Sequence, residues 1–207
     1  EALAPDLVLA FSDLQADIAA ELVRRGHNVV VFNQRSVDEI LRMIRMLGGL
    51  IGCQERADHL AIRLEASVSQ VRADAAKLSR RPRVFFEEWD DPLISGIQWV
   101  EELVEIAGGE PIFPELRHAA LGKDRIVTSE EVVRRNPDII VASWCGKAVR
   151  KERIASREGW QEVTAVREGR IHEIKSALIL QPGPAALTDG LAQLHAIIAG
   201  PPPGSSR

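Results

Sequence analysis

Five consecutive residues, Glu87-Glu88-Trp89-Asp90-Asp91, set four carboxylates around one indole at the end of an apolar run. Carboxylates this close can divide into a general acid and a general base, or accept hydrogen bonds from a bound molecule. They equally suit a solvated strand end with no chemistry at all. A second concentration is Trp144-Cys145-Gly146-Lys147, where a thiol near an ammonium in a strand-end loop can become nucleophilic. A structural cysteine competes with that reading, because no histidine partner can be argued. An enzyme using Cys145 with Glu87, Glu88, Asp90 and Asp91 is therefore the catalytic alternative. His27, His59, His118, His172 and His195 have no i, i+4 spacing, so no metal site is expected. Cys53 and Cys145 lie in no zinc or CxxC pattern. They read as two unrelated buried thiols, with a disulfide between them as the alternative.

The elements that position these residues follow from pattern. Asp6 to Phe11 is a short apolar run suited to a strand buried on both faces. Ser12 and Gln15 form a capping-box pattern opening a helix that turns Ile18, Ala19, Leu22 and Val23 inward and stops at Gly26. Asn28 to Phe32 is the next strand, completing a βαβ unit. Ser36 and Glu39 box a second helix carrying Val37, Ile40, Leu41, Ile44 and Leu47. Then comes Gln54 to Leu78, free of Gly and Pro, with Ala57, Leu60, Ala61, Leu64, Val68, Val71, Ala75 and Leu78 at spacings of three and four. That is one apolar stripe on a long helix, which reads as a strut joining two bodies.

Beyond Pro82, strands are predicted at 83–89, 138–144 and 170–174, with helices between them and a last helix from Ala186 to Ala199. In open α/β sheets, ligands bind beyond the carboxyl ends of the strands. That rule selects the loops 89–96, 144–147 and 176–184. The predicted architecture is α/β, with two Rossmann-like lobes joined by a long helix: 1–53 the remainder of an N-terminal lobe, 54–81 the connecting helix, 82–200 the C-terminal lobe and 201–207 a disordered tail. Two strands are too few for a stable sheet, so the first lobe reads as truncated and open to self-association.

Composition narrows the class. Against 26 Lys and Arg stand 30 Asp and Glu, a net charge of -4, which leaves no footprint for nucleic acid. No run reaches the roughly 18 apolar residues of a membrane span, and no signal-peptide pattern is present.

Several local motifs occur in a telling order: Ala2 to Val8, Gly26 to Val31, the long helix, Asp91-Pro92, Ser95-Gly96, Glu102 to Glu110, Ser129-Glu130-Glu131-Val132, Asn136 to Val141 and Pro182-Gly183-Pro184. The chain resembles the substrate-binding proteins of ABC importers, in the class with a rigid helix between lobes that binds cobalamin, haem or ferric siderophores. Cobalamin-binding members look most similar. The resemblance implies non-covalent capture of such a ligand in a cleft between lobes, small closure only, delivery to the permease subunits of a membrane transporter, an extracytoplasmic location, no catalysis and no resident cofactor. It implies a ligand set of Phe11, Ser12, Trp89, Asp91, Leu93, Trp144, Cys145, Leu178 and Gln181. Phe11 keeps an aromatic where the cobalamin proteins have one. Leu93 and Leu178 replace aromatics, and Gln181 stands where an arginine is common. Trp89 and Trp144, which otherwise read as lobe core, could restore a flat aromatic wall. Family members dock on the permease through a glutamate on each lobe, and Glu130 matches the second of these. The first match falls upstream of Glu1. A degenerate relative that no longer binds ligand is the remaining alternative.

Overall fold

The computed structural model describes residues 3–200; the tail expected at 201–207 lies outside the described residues. The chain divides into two compact units, Glu1–Arg35 and Ser36–Arg207.

The first unit is the expected βαβ. Strand β1 (Val8–Phe11) and strand β2 (Val29–Phe32) pair in parallel, with Val8 opposite Val29 and Phe11 opposite Phe32. Helix α1 (Ala16–Arg24) connects them after a single 3-10 turn at Asp13–Gln15. Two expectations fail here. No residue of β1 or β2 is fully buried, and Ile18 and Val23 of α1 are 60% and 58% exposed while only Ala19 is buried. The reason is width: among the described residues the sheet has two strands, and two strands cover only a narrow strip of a helix. The Ser12–Gln15 capping box is also not reciprocal. Ser12 Oγ accepts from Leu14 N, whereas Gln15 Oε1 accepts from Phe11 N.

The second unit begins with helix α2 (Val37–Leu50), whose Ser36–Glu39 capping box is formed as predicted. Helix α3 (Gln54–Ala75) is the long one, about 33 Å at 1.5 Å per residue. Of the expected stripe, Ala57, Ala61, Leu64, Val68 and Ala75 are buried, Leu60 and Val71 are half-buried, and Leu78 is half-buried beyond the helix end. The packing of α3 shows where α2 belongs. Ile40, Leu41 and Ile44 of α2, the α3 stripe, and Leu103, Val104, Leu191 and Leu194 share one core. Hence α2, assigned from sequence to a lobe ending at 53, belongs with α3 to the second unit. Gly48 makes this fit possible, because a Cβ there would overlap Ala57 Cβ.

A five-stranded sheet follows: β3 (Arg83–Asp90), β4 (Leu93–Ser95), β5 (Glu110–Pro111), β6 (Ile139–Ala142) and β7 (Ile171–Glu173), in the order β4-β3-β6-β7 with β5 also on β3. β6 and β7 add in parallel, while β4 folds back antiparallel as a hairpin on β3. The segment 89–96 is thus a hairpin rather than a loop, because the sheet pairing of β3 continues through Trp89 and Asp90. Alternation sends Val84 and Phe86 of β3 to the face of α3 and α4 (Gln98–Ile106), and Phe85 to the opposite face with Phe113, Trp144 and Trp160. On that second face, α5 (Ser129–Arg135), α6 (Lys151–Ala155) and α7 (Thr164–Arg167) contribute Val132, Ile154 and Ala165. The segment 176–184 opens with a short helix, α8 (Ser176–Ile179). A π turn at Ala186–Gly190 then leads into α9 (Leu191–Ala199), and Leu187, Leu191, Leu194 and Ile198 are all buried as predicted.

Candidate ligand-binding surface

The four carboxylates around Trp89 do not form a cluster. Because β3 is pleated and buried, each carboxylate within it is directed to its own cation. Glu87 is fully buried and takes Arg157 in a bidentate pair at 2.5 and 2.9 Å, plus the Trp144 indole N–H at 3.1 Å. Burial pushes its carboxyl up, opposed by Arg157 and Trp144. Glu88 accepts from Arg125 at 2.7 and 3.0 Å and from Ile97 N at 2.9 Å. Asp90, its side chain 1% exposed, accepts from Lys147 and lies 3.3 Å from Arg153. Burial alone would raise the Asp90 carboxyl, but Lys147, its own backbone and Arg153 together hold it below the usual range. Only Asp91, at the hairpin tip, is exposed, and its carbonyl accepts from the Trp89 indole. Both sequence readings of the cluster, acid–base pair and solvated strand end, give way to buried ion pairs. Their cations lie far away in sequence, so only the general cost of an unpaired buried charge could have signalled that partners must exist.

Trp144 is 3% exposed and packs with Phe85 and Trp160 in the core, so it does not line a wall. It lies two residues beyond β6, where it joins that core and donates its indole N–H to the buried Glu87 carboxylate. Trp89 is half-buried at the edge of that same core, next to Leu93 on β4. Over the Trp89 ring sits Lys147, with Nζ 4.0 Å from the centroid and 5.0 Å from that of Trp144. Cys145 and Gly146 are exposed in the turn that carries Lys147. Both cysteines are free, Cys145 exposed and Cys53 half-buried, so the expectation of two buried thiols fails. The ammonium meant to activate Cys145 is instead engaged by Asp90 and the two indoles. The structure therefore brings together Trp89, Asp91, Leu93 and Lys147, with Trp144 beneath and Cys145 beside them.

Leu178 and Gln181 follow β7 and join a different group. Leu178 is half-buried on α8 and packs into the α3 core, where its carbonyl stands against Gly190. Gln181 is exposed. In the first unit, Phe11 and Ser12 end β1. Ser12 is buried at φ 76°, ψ 150°, a region costly for any residue with a Cβ. It is held there by its N–H to Phe32 O at 2.8 Å and by Arg35 Nη2 on Oγ at 3.2 Å. Arg35 also lies 5.3 Å above the Phe11 ring.

Glu130 is exposed in the first turn of α5. Its neighbour Glu131 is engaged by Arg134 and Arg135, which depress that carboxyl to about 2. Among the described residues no grouping of His, Cys, Asp and Glu could hold a metal ion, and no helix is long and apolar enough to cross a membrane.

A mostly parallel sheet with one antiparallel strand, β4, and helices on both faces defines an α/β protein. Residues 1–178 match the sequence profile of the periplasmic binding protein family, and the chain belongs to that family. It is 28% identical over 203 residues to YvrC, an ABC transporter substrate-binding lipoprotein of Bacillus subtilis. The match covers 93% of this chain but only 61% of the length of that curated relative. Among solved structures, an ABC transporter substrate-binding protein from Listeria monocytogenes superposes at a TM-score of 0.82 with 21% identity, over 95% of this chain and 78% of the other. The haem complex of IsdE from S. aureus superposes at 0.79 with 18% identity, over 96% and 79%. These likenesses establish the fold.

Proposed function

We propose that this chain is the substrate-binding component of an ABC importer, taking a bulky metal-chelate ligand of the haem, cobalamin or ferric siderophore kind and delivering it to permease subunits outside the cytoplasm. The observation that carries the reading is membership of the periplasmic binding protein family over most of the chain. The edge beyond β3 and β6 supports it, since Trp89, Asp91, Leu93 and Cys145 stand where open α/β sheets take ligands. Phe11 ends β1 and Ser12 follows it, while Gln181 lies past α8, after β7. The chemistry is capture without catalysis, a reading supported by the buried β3 carboxylates Glu87 and Asp90 each being paired with a cation. Glu130 is the permease contact, because its carboxylate is exposed while that of Glu131 is committed to two arginines.

Equilibrium titration with haem, cyanocobalamin and ferric siderophores, followed by absorbance and tryptophan fluorescence, tests the reading. Saturable binding of one of them supports it, and no response to any of them refutes it. Glu130→Arg should abolish stimulation of the importer's ATPase while leaving ligand affinity unchanged. A parallel loss of affinity would remove Glu130 from a docking role.

A further inference from the structure

With Trp144 buried, the two aromatic residues still available to a ligand, Trp89 and Phe11, each carry a cation on their face. Lys147 lies over Trp89, and Arg35 over Phe11. A ligand that stacks on Trp89 must first displace an ammonium, and it then meets that charge at its rim. The surroundings make this side cationic. The segment Lys147–Arg153 reads Lys-Ala-Val-Arg-Lys-Glu-Arg, four basic residues to one acid, and Lys147, Arg150, Lys151 and Arg153 are all exposed. Asp90 is the buried counter-charge, and it is shared. Lys147 donates to Oδ1 and Arg153 lies 3.3 Å from Oδ2. When Lys147 leaves, Arg153 remains 3.3 Å from Oδ2 as an ion-pair partner without a hydrogen bond, so Asp90 keeps a counter-charge. Nothing crowds the turn behind it either: Cys145 and Gly146 are exposed, and no atom lies within 4 Å of where a Gly146 Cβ would stand.

We propose that Lys147 is a displaceable clasp that selects a ligand bearing an acidic group. In the empty protein its ammonium covers the indole of Trp89; in the complex it turns outward onto an anionic oxygen of the ligand, and the exposed indole stacks on the ligand's flat face. Charge-assisted bonds of this kind are strong and short-ranged, so the clasp discriminates by charge at a fixed place on the ligand. This rests on the chelate-binding reading and narrows it to chelates with carboxylate, catecholate or similarly anionic oxygens at the rim.

Two measurements on the whole chain test it. The first compares a trianionic ferric tris-catecholate with an uncharged ferric tris-hydroxamate and with cyanocobalamin, using the wild type and Lys147→Met, which keeps the stem and removes the charge. The expected result is preference for the trianion in the wild type, falling with added salt, and a loss of about tenfold or more in Lys147→Met for that probe alone. Equal or tighter binding of the uncharged probes by the wild type, or an unchanged preference in Lys147→Met, overturns the proposal. The second needs no ligand. Trp99, Trp144 and Trp160 are buried, so collisional quenching reports on Trp89. With each quenching constant normalised to that of free N-acetyltryptophanamide, the iodide-to-caesium ratio should exceed one in the wild type and fall toward one in Lys147→Met, which should also become more open to acrylamide; a normalised ratio of one or less in the wild type overturns the clasp. If none of the three chelates binds, the chelate reading falls, and the quenching result then decides by itself whether Lys147 shields the indole.

Discussion

Glu101 makes the strongest quantitative test of this fold. It lies on α4 with 4% of its surface exposed, and its carboxyl stands directly over Gly96. Burial raises that carboxyl from an ordinary 4.5 to about 8, against the attraction of Arg117 and Arg125 and helped by Glu105 and Glu88. The sign follows from proton counting. Between those two values the folded protein keeps a proton on Glu101 that the unfolded chain releases, so raising the pH favours unfolding by about 1.4 kcal/mol per unit. Stability from this group is whole below the unfolded value, declines through the window and levels off above about 8. Glu101→Gln keeps the shape and is neutral in both states, so it escapes the decline. The two proteins should match to within about 1 kcal/mol near pH 4, and the variant should be more stable by about 3–6 kcal/mol near pH 9. Urea midpoints at each pH, with unchanged m, measure the difference directly. Parallel curves, or a variant less stable than the wild type at pH 9, would mean that Glu101 is ionised and paired with Arg117 or Arg125, and the reasoning would be wrong.

Other outcomes follow from packing and pairing. Gly48→Ala should lower stability by about 1–3 kcal/mol, despite alanine's better helix propensity, because its Cβ overlaps Ala57; a raised Tm would show that α2 can shift. Arg125→Met leaves Glu88 without its bidentate partner and should cost about 3–5 kcal/mol, part of it regained on adding Glu88→Gln. A null effect in denaturant melts would show the pair to be solvated. Trp89→Ala should weaken ligand binding with little loss of stability, whereas Trp144→Phe should lower stability by about 1–3 kcal/mol by removing a donor from buried Glu87. The reverse pattern in titrations and melts would exchange the two indoles' roles.

Much of the secondary structure was legible because its information is local. The α3 stripe, the Ser36–Glu39 box and the buried face of α9 depend on residues three or four apart; the last two formed as read, and the stripe formed up to Ala75, with Leu78 beyond the helix end. The βαβ start was legible too, but the burial of α1 was not, because burial depends on how many strands lie beneath a helix. The wall residues were half legible. The strand-end rule found the segments carrying Trp89 and Cys145, yet it could not tell Trp144, which is core, from Trp89, which reaches the edge.

The sequence by itself determined an α/β chain with a long amphipathic helix, and its ordered motifs placed it in a family of binding proteins. Only the tertiary structure decided what the charges do. Glu87 finds Arg157 seventy positions on, Glu88 finds Arg125 thirty-seven on, and Asp90 finds Lys147 fifty-seven on. No local spacing encodes such pairs, because a buried carboxylate fixes only that a cation must come, while the crossing of strands and helices fixes which one can reach it.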